Sequence, residues 1–95
     1  MTRDVVVRDH PEMSRYEAVV DGGGAFLAYE RHPAAIVFVH TEVPESLRGQ
    51  GIASQLAKTA LEAARSAGVR VVARCPFVRA YLRKHPDAAE TIESL

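Results

Sequence analysis

The chain has one cysteine, no tryptophan, only six other aromatic residues among 95, and no excess charge, with twelve Lys and Arg against twelve Asp and Glu. A lone cysteine can neither close an internal disulfide nor supply a thiolate zinc site. His10, His32, His40 and His85 show no metal-ligand spacing, so no metal is expected. Balanced charge lacks the basic excess of a nucleic-acid or membrane-surface protein, and neither partner is expected. No apolar run approaches the ~20 residues that span a bilayer. Met1-Thr2-Arg3-Asp4 begins with charge rather than an apolar signal segment. Together these absences lead us to expect a reducing, cytoplasmic setting. No G-x-S-x-G nucleophile elbow occurs. Gly22-Gly23-Gly24 is followed by neither a helical pattern nor Lys-Ser/Thr, so it is not a phosphate loop.

What is present suits a small globular protein. Hydrophobic residues make up 47% and charged residues 25%, enough for one core, and residues 1–95 are expected to form a single domain. Val5-Val6-Val7 reads as a first strand, broken by Asp9-His10-Pro11-Glu12. Tyr16 to Val20 reads as a second, with Tyr16, Ala18 and Val20 on one face. Asp21-Gly22-Gly23-Gly24 is a hairpin signal. Ala25 to Arg31 is a third strand, and His32-Pro33 starts another turn. Ala34 to Val39 is apolar on both faces, which suits a sheet covered on both sides. Strands two to four read as an antiparallel meander. Ile52 to Ala67 is the clearest helix, with Ile52, Leu56, Ala60, Ala63 and Ala67 on one face and Gly68 as a stop. Val69 to Ala73 is a fifth strand, parallel to its partner because a helix crosses between them. Pro76 opens a second helix that runs to about Lys84. Asp87 to Leu95 is either a short last helix or a frayed tail.

The stretch between the apolar strand and the long helix carries the strongest functional signal. Arg48-Gly49-Gln50-Gly51 feeds directly into the helix at Ile52 and Ala53. First-turn N–H groups lack internal partners, and the helix dipole favours an anion there. Glycines let a ligand approach the backbone. Taken alone, the pattern fits a pyrophosphate cradle and an ordinary strand–loop–helix turn about equally well.

Arg48-x-x-Gly51-x-Ala53 resembles the R/Q-x-x-G-x-G/A signature of the general N-acetyltransferase (GNAT) superfamily. With His40-Thr41-Glu42-Val43-Pro44, Cys75-Pro76-Phe77-Val78 and Tyr81-Leu82-Arg83-Lys84-His85-Pro86, the chain resembles the small stand-alone N-acetyltransferase-like proteins from about Tyr16 to His85. The resemblance implies a minimal GNAT fold of the α/β (α+β) class. Its sheet of about five strands is mixed but mostly antiparallel, in the order β-β-β-β-α-β-α, and strands four and five are parallel and splay apart around coenzyme A. It implies acetyl-CoA as cofactor, held by Arg48, Gly49, Gln50, Gly51, Ile52 and Ala53. The backbone of Glu42 and Val43 would pair with the pantetheine amides.

Three side chains are candidates for catalysis. Cys75 sits where strand five meets a helix N-terminus, a place that favours thiolate. It is either a buried small hydrophobe or the reacting thiol, as covalent acceptor or as proton donor to the departing coenzyme thiolate. His40, alternating with Phe38 and Ile36 and so placed on their face, is either a general base or a structural residue at the strand end. Glu42 is a rival base. Tyr81, by resemblance, is an acid for the leaving thiolate, or else a packed ring with a wet hydroxyl. Arg79, Arg83 and Lys84 hold a ribose phosphate or an acidic acceptor, or simply line a solvated face. Strand four, Ile36-Val37-Phe38-Val39, lacks the glutamate of many histone-type relatives.

These features lead us to expect acetyl transfer from acetyl-CoA to an amine. The short span between the first two strands leaves no room for helices that would wall an acceptor pocket. An open groove suits a lysine or N-terminus on a protein. A non-catalytic module that binds coenzyme A or acyl-CoA is the alternative, and the protein is expected to be a monomer or weak homodimer.

Overall fold

The computed structural model describes residues 3–20, 23–86 and 92–93. Its strands are β1 (Val7–His10), β2 (Arg15–Val20), β3 (Gly23–His32), β4 (Ala35–Glu42), β5 (Arg70–Ala73) and a two-residue β6 (Ile92–Glu93). They lie side by side in chain order. β1 to β4 are antiparallel neighbours; β4, β5 and β6 run parallel. Helix α1 (Ile52–Ala67) joins β4 to β5, and α2 (Pro76–Lys84) joins β5 to β6. The mixed sheet with its parallel β4–β5 pair is the architecture expected. Residues 87–91 and 94–95, on which most of the expected tail falls, lie outside the described residues, as do Asp21 and Gly22 of the expected hairpin turn. Gly23 and Gly24 belong to β3, and Ile92–Glu93 are a strand instead of a helix or fray.

One buried cluster organises the fold. It takes alternate residues from the sheet: Tyr16, Ala18 and Val20 of β2, Ala25, Leu27 and Tyr29 of β3, Ile36 and Phe38 of β4, Val71 and Ala73 of β5. Alternate residues of a strand share a face, so this is one side of the sheet. Both helices contribute to the same cluster, Ile52, Leu56, Ala60, Leu61 and Ala64 from α1, Val78 and Leu82 from α2. Two successive right-handed crossovers between parallel strands place their helices on one side. The expected double covering of the apolar strand is therefore corrected. Ile36, Val37 and Phe38 are all buried, but Val37 stands apart from the helix-side cluster.

Three further expectations shift. The first strand is Val7–His10, because pairing with β2 begins at Val7↔Ala18. Ahead of it, the Val5 N–H donates to the Gln55 side chain of α1 at 3.0 Å. On α1, Ala63 and Ala67 are exposed while Ala57, Leu61 and Ala64 are buried. A helix packed against both a sheet and a second helix buries a broader, rotated arc. Finally, β4 extends to Glu42 and contains a bulge. Ala28 pairs with His40 and Tyr29 with Phe38, leaving Val39 as an extra residue. A one-residue insertion flips every later side chain.

Phe38, wholly buried, stands where β3, β4 and β5 meet. Phe38→Ala is expected to lose about 3–5 kcal/mol of stability. Val19→Ala on the uncovered face, where Val19 is 79% exposed, is expected to stay within about 0.5 kcal/mol. Urea unfolding of the two variants checks the contrast.

Candidate functional site

The site forms where β4 and β5 stop pairing. Their register runs from Ala35↔Arg70 to Phe38↔Ala73. The Phe38 carbonyl then accepts both the Arg74 N–H (3.0 Å) and the Cys75 N–H (2.9 Å). Beyond this, β4 continues to Glu42 while the segment after β5 turns into α2. The parallel pair thus splays, leaving one flank of the last β4 residues unpaired with β5.

The loop after β4 is pinned at both ends by the buried side chains of Leu47 and Ile52. Between them Gly49 and Gly51 take φ of 80° and 74°, a left-handed backbone that glycine adopts without Cβ strain. A Cβ on Gly49 would stand in open space. Gly51 is the N-cap of α1 and makes no side-chain cap hydrogen bond. Among the described residues, no hydrogen bond claims the N–H groups of Gly49, Gly51, Ile52 or Ala53. They border a cavity of about 200 Å³ with Val43, Arg48 and Phe77. Donors without partners that line one cavity, beside glycines, at a helix N-terminus fit a diphosphate.

Arg48 differs from the rest of the loop. Its N–H donates to the Glu45 carbonyl at 3.2 Å, and its Nε to the Val43 carbonyl at 3.3 Å. The amides available to an anion therefore begin at Gly49. One lone pair of the Val43 carbonyl, expected to meet pantetheine, is already engaged. Gln50 turns its amide to the Ser46 carbonyl at 3.4 Å, and its own carbonyl accepts the Arg3 N–H at 2.8 Å. Gln55 holds the same N-terminal arm, accepting from Val5 N–H and donating to the Arg3 carbonyl. Sequence reasoning missed this clamp, since a glutamine in a first helical turn looks like ordinary solvated surface.

Cys75 is the N-cap of α2 and is 2% exposed. Its Sγ lies 3.1 Å from Thr41 Oγ1, a bond that crosses the gap between β4 and the β5–α2 junction. Thr41 pairs with Leu27, so its side chain is on the helix side of the sheet. It was not among the expected site residues, because only the Val39 bulge brings it there.

The same bulge corrects the placement of His40. It pairs with Ala28 and meets Phe26 edge-on at 6.0 Å, so it stands on the face opposite Phe38 and Ile36. Its Nε2 is 3.7 Å from Glu42 Oε1, and both side chains are mostly exposed. His40 and Glu42 thus belong to the open face, while Cys75 and Thr41 belong to the helix face. Tyr81 joins neither group. It stacks on His85 at 4.2 Å in a groove between α1 and α2. Burial, with the nearby Glu62 charge, pushes its phenol up from the usual value. Arg79 and Arg83 are exposed. Among the described residues, no group of His, Cys, Asp and Glu could hold a metal ion, and no helix is long and apolar enough to cross a membrane.

Comparison with known proteins bears on the family and the fold. The family model for the GCN5-related N-acetyl-transferases matches residues 15–91. Protein NATD1 of Homo sapiens is 38% identical over 63 residues, 65% of this chain and 56% of that protein. Protein NATD1 of Gallus gallus gives the same identity and covers 57% of that protein. The match thus spans little more than half the length of these relatives. The NMR solution structure of a GCN5-like protein from Staphylococcus aureus superposes with a TM-score of 0.73 at 23% identity, over 96% of this chain and 90% of that one; this supports the fold.

Gly51 and Gly68 flank α1 with left-handed backbones. Gly51→Ala and Gly68→Ala are each expected to lose about 1–2 kcal/mol of stability to backbone strain. Chemical denaturation checks this, and an unchanged midpoint in either variant would contradict the left-handed assignment there.

Proposed function

The chain belongs to the GCN5-related N-acetyltransferases, and we propose that it moves an acetyl group from acetyl-CoA to an amine, a lysine or N-terminus on a protein. The observation that carries this reading is the row of unclaimed amides from Gly49 to Ala53, standing beside a gap that Cys75 and Thr41 bridge. Gly49, Gln50, Gly51, Ile52 and Ala53 would hold the diphosphate, with Arg48 adding charge at the rim. The Glu42–Val43 backbone would align the pantetheine arm. Bound there, acetyl-CoA supplies the activated thioester.

The division of the site between two faces suggests the roles. The thioester comes from the helix side, where the cradle and Cys75 lie. The acceptor approaches over the uncovered face, where no described helix walls a pocket. His40, steadied by Glu42, takes the proton from the acceptor ammonium. The acceptor nitrogen would bond to the carbonyl carbon as the carbon–sulfur bond breaks. Cys75, held by Thr41, would give its proton to the departing thiolate and recover one from the new amide nitrogen, so the two protons lost by the ammonium end on His40 and on the coenzyme thiol. Tyr81, turned into the other groove, has no step in this scheme.

A second reading remains, that of a coenzyme A-binding module without turnover. It is favoured by the apolar interior of β4, Ile36–Val39, and by the deep burial of Cys75.

Transfer to a lysine peptide, followed by release of free thiol, separates the two. The enzyme reading expects Cys75→Ala and His40→Ala each to slow transfer about 10²-fold while calorimetric binding of coenzyme A is kept. Wild-type binding without transfer to any amine would favour the module. Intact-mass analysis after acetyl-CoA is expected to show no acetyl group on wild-type protein that Cys75→Ala lacks. Such an adduct would replace direct transfer by a covalent route.

A further inference from the structure

We propose that the groove between the C-terminal halves of α1 and α2 is a second binding site, separate from the cradle, for a small anion bearing a flat ring, of the nucleoside monophosphate class. The groove encloses about 280 Å³. This lies just under the ~300–1,000 Å³ common for ligand sites, so it suits a mononucleotide better than a dinucleotide. It shares no lining residue with the cradle cavity. Along α1, Leu61 at its floor is about 12 Å from Ala53.

Its lining has the three parts such a ligand needs. Tyr81 of α2 and His85, the C-cap of that helix, stack on each other at 4.2 Å with their planes 26° apart. A nucleobase can extend such a stack on an outer ring face. Lys58 of α1 and Lys84 of α2 border the groove from opposite sides, and neither forms an ion pair among the described residues. Lys84, in the last turn of α2, could be explained by the negative end of its own helix. Lys58 is in the middle of α1, where that explanation fails. Glu62 is the one carboxylate among the described lining residues. It offers an acceptor for a ring N–H or sugar hydroxyl, and the Tyr81 phenol, pushed up from its usual value by burial and then by the Glu62 charge, is available as a donor.

The test is an amide NMR titration of the whole chain with adenosine monophosphate, with coenzyme A present at saturation. Expected are saturable shifts over residues 58–65 and 81–85 while the cradle signals stay in their coenzyme-bound positions. The double variant Lys58→Gln, Lys84→Gln is expected to weaken this binding about tenfold or more, with unchanged affinity for coenzyme A. Ribose 5-phosphate, which lacks the base, is expected to bind about tenfold more weakly. The proposal is overturned if the shifts are absent or do not saturate, fall only on 49–53, or vanish when coenzyme A is added. Equal binding by the double variant or by ribose 5-phosphate would also overturn it.

Discussion

The Phe38 carbonyl takes two N–H groups at the point where the parallel strands separate, and the rest of the site depends on that fork. One acceptor ends the β4–β5 ladder and starts the turn into α2. It fixes Cys75 at a helix N-cap instead of in the sheet. It leaves the outer part of β4 without a β5 neighbour, next to the loop that opens α1. Phe38 itself is wholly buried, so the fork is anchored in the core, and the elements around it can be held to one geometry.

The second constraint is the one-sided packing of the sheet. Both crossovers put their helices over the same face, so the other face keeps Glu17, Val19, Phe26, His40 and Glu42 outward. On that face charge is managed locally. Arg15 lies over the Phe26 ring and pairs with Glu17, whose carboxyl is held below its usual range by hydrogen bonds from His10 and Arg15. The extra residue at Val39 then assigns His40 to this face and Thr41 to the other. Two neighbouring residues thereby serve opposite sides of one gap.

Much of this was legible in the sequence where residues impose backbone conformation. Gly51 and Gly68 bracket α1, and its span, Ile52–Ala67, is the one expected. Pro76 opens α2 as its missing N–H dictates. The loop signature pointed to residues that do line one cavity, and Cys75 does lie at the strand–helix junction. What was illegible depends on pairing between distant strands. No residue type marks the Val39 bulge, so strict alternation put His40 on the wrong face and passed over Thr41. Val5 and Val6 have strand-forming side chains, yet pairing with β2 begins only at Val7, and the Val5 N–H goes to the Gln55 side chain instead. The rotated face of α1 reflects α2, which the sequence of α1 alone does not encode.

The most direct measurement compares the two-dimensional amide spectrum of the protein with and without saturating coenzyme A. The account predicts that the largest shifts fall on Gly49, Gly51, Ile52 and Ala53, with a second group on residues 39–43 along the unpaired flank of β4. If these amides stay unmoved while coenzyme A binds elsewhere, or if coenzyme A does not bind, the cradle at the start of α1 is not what the fold is built to present.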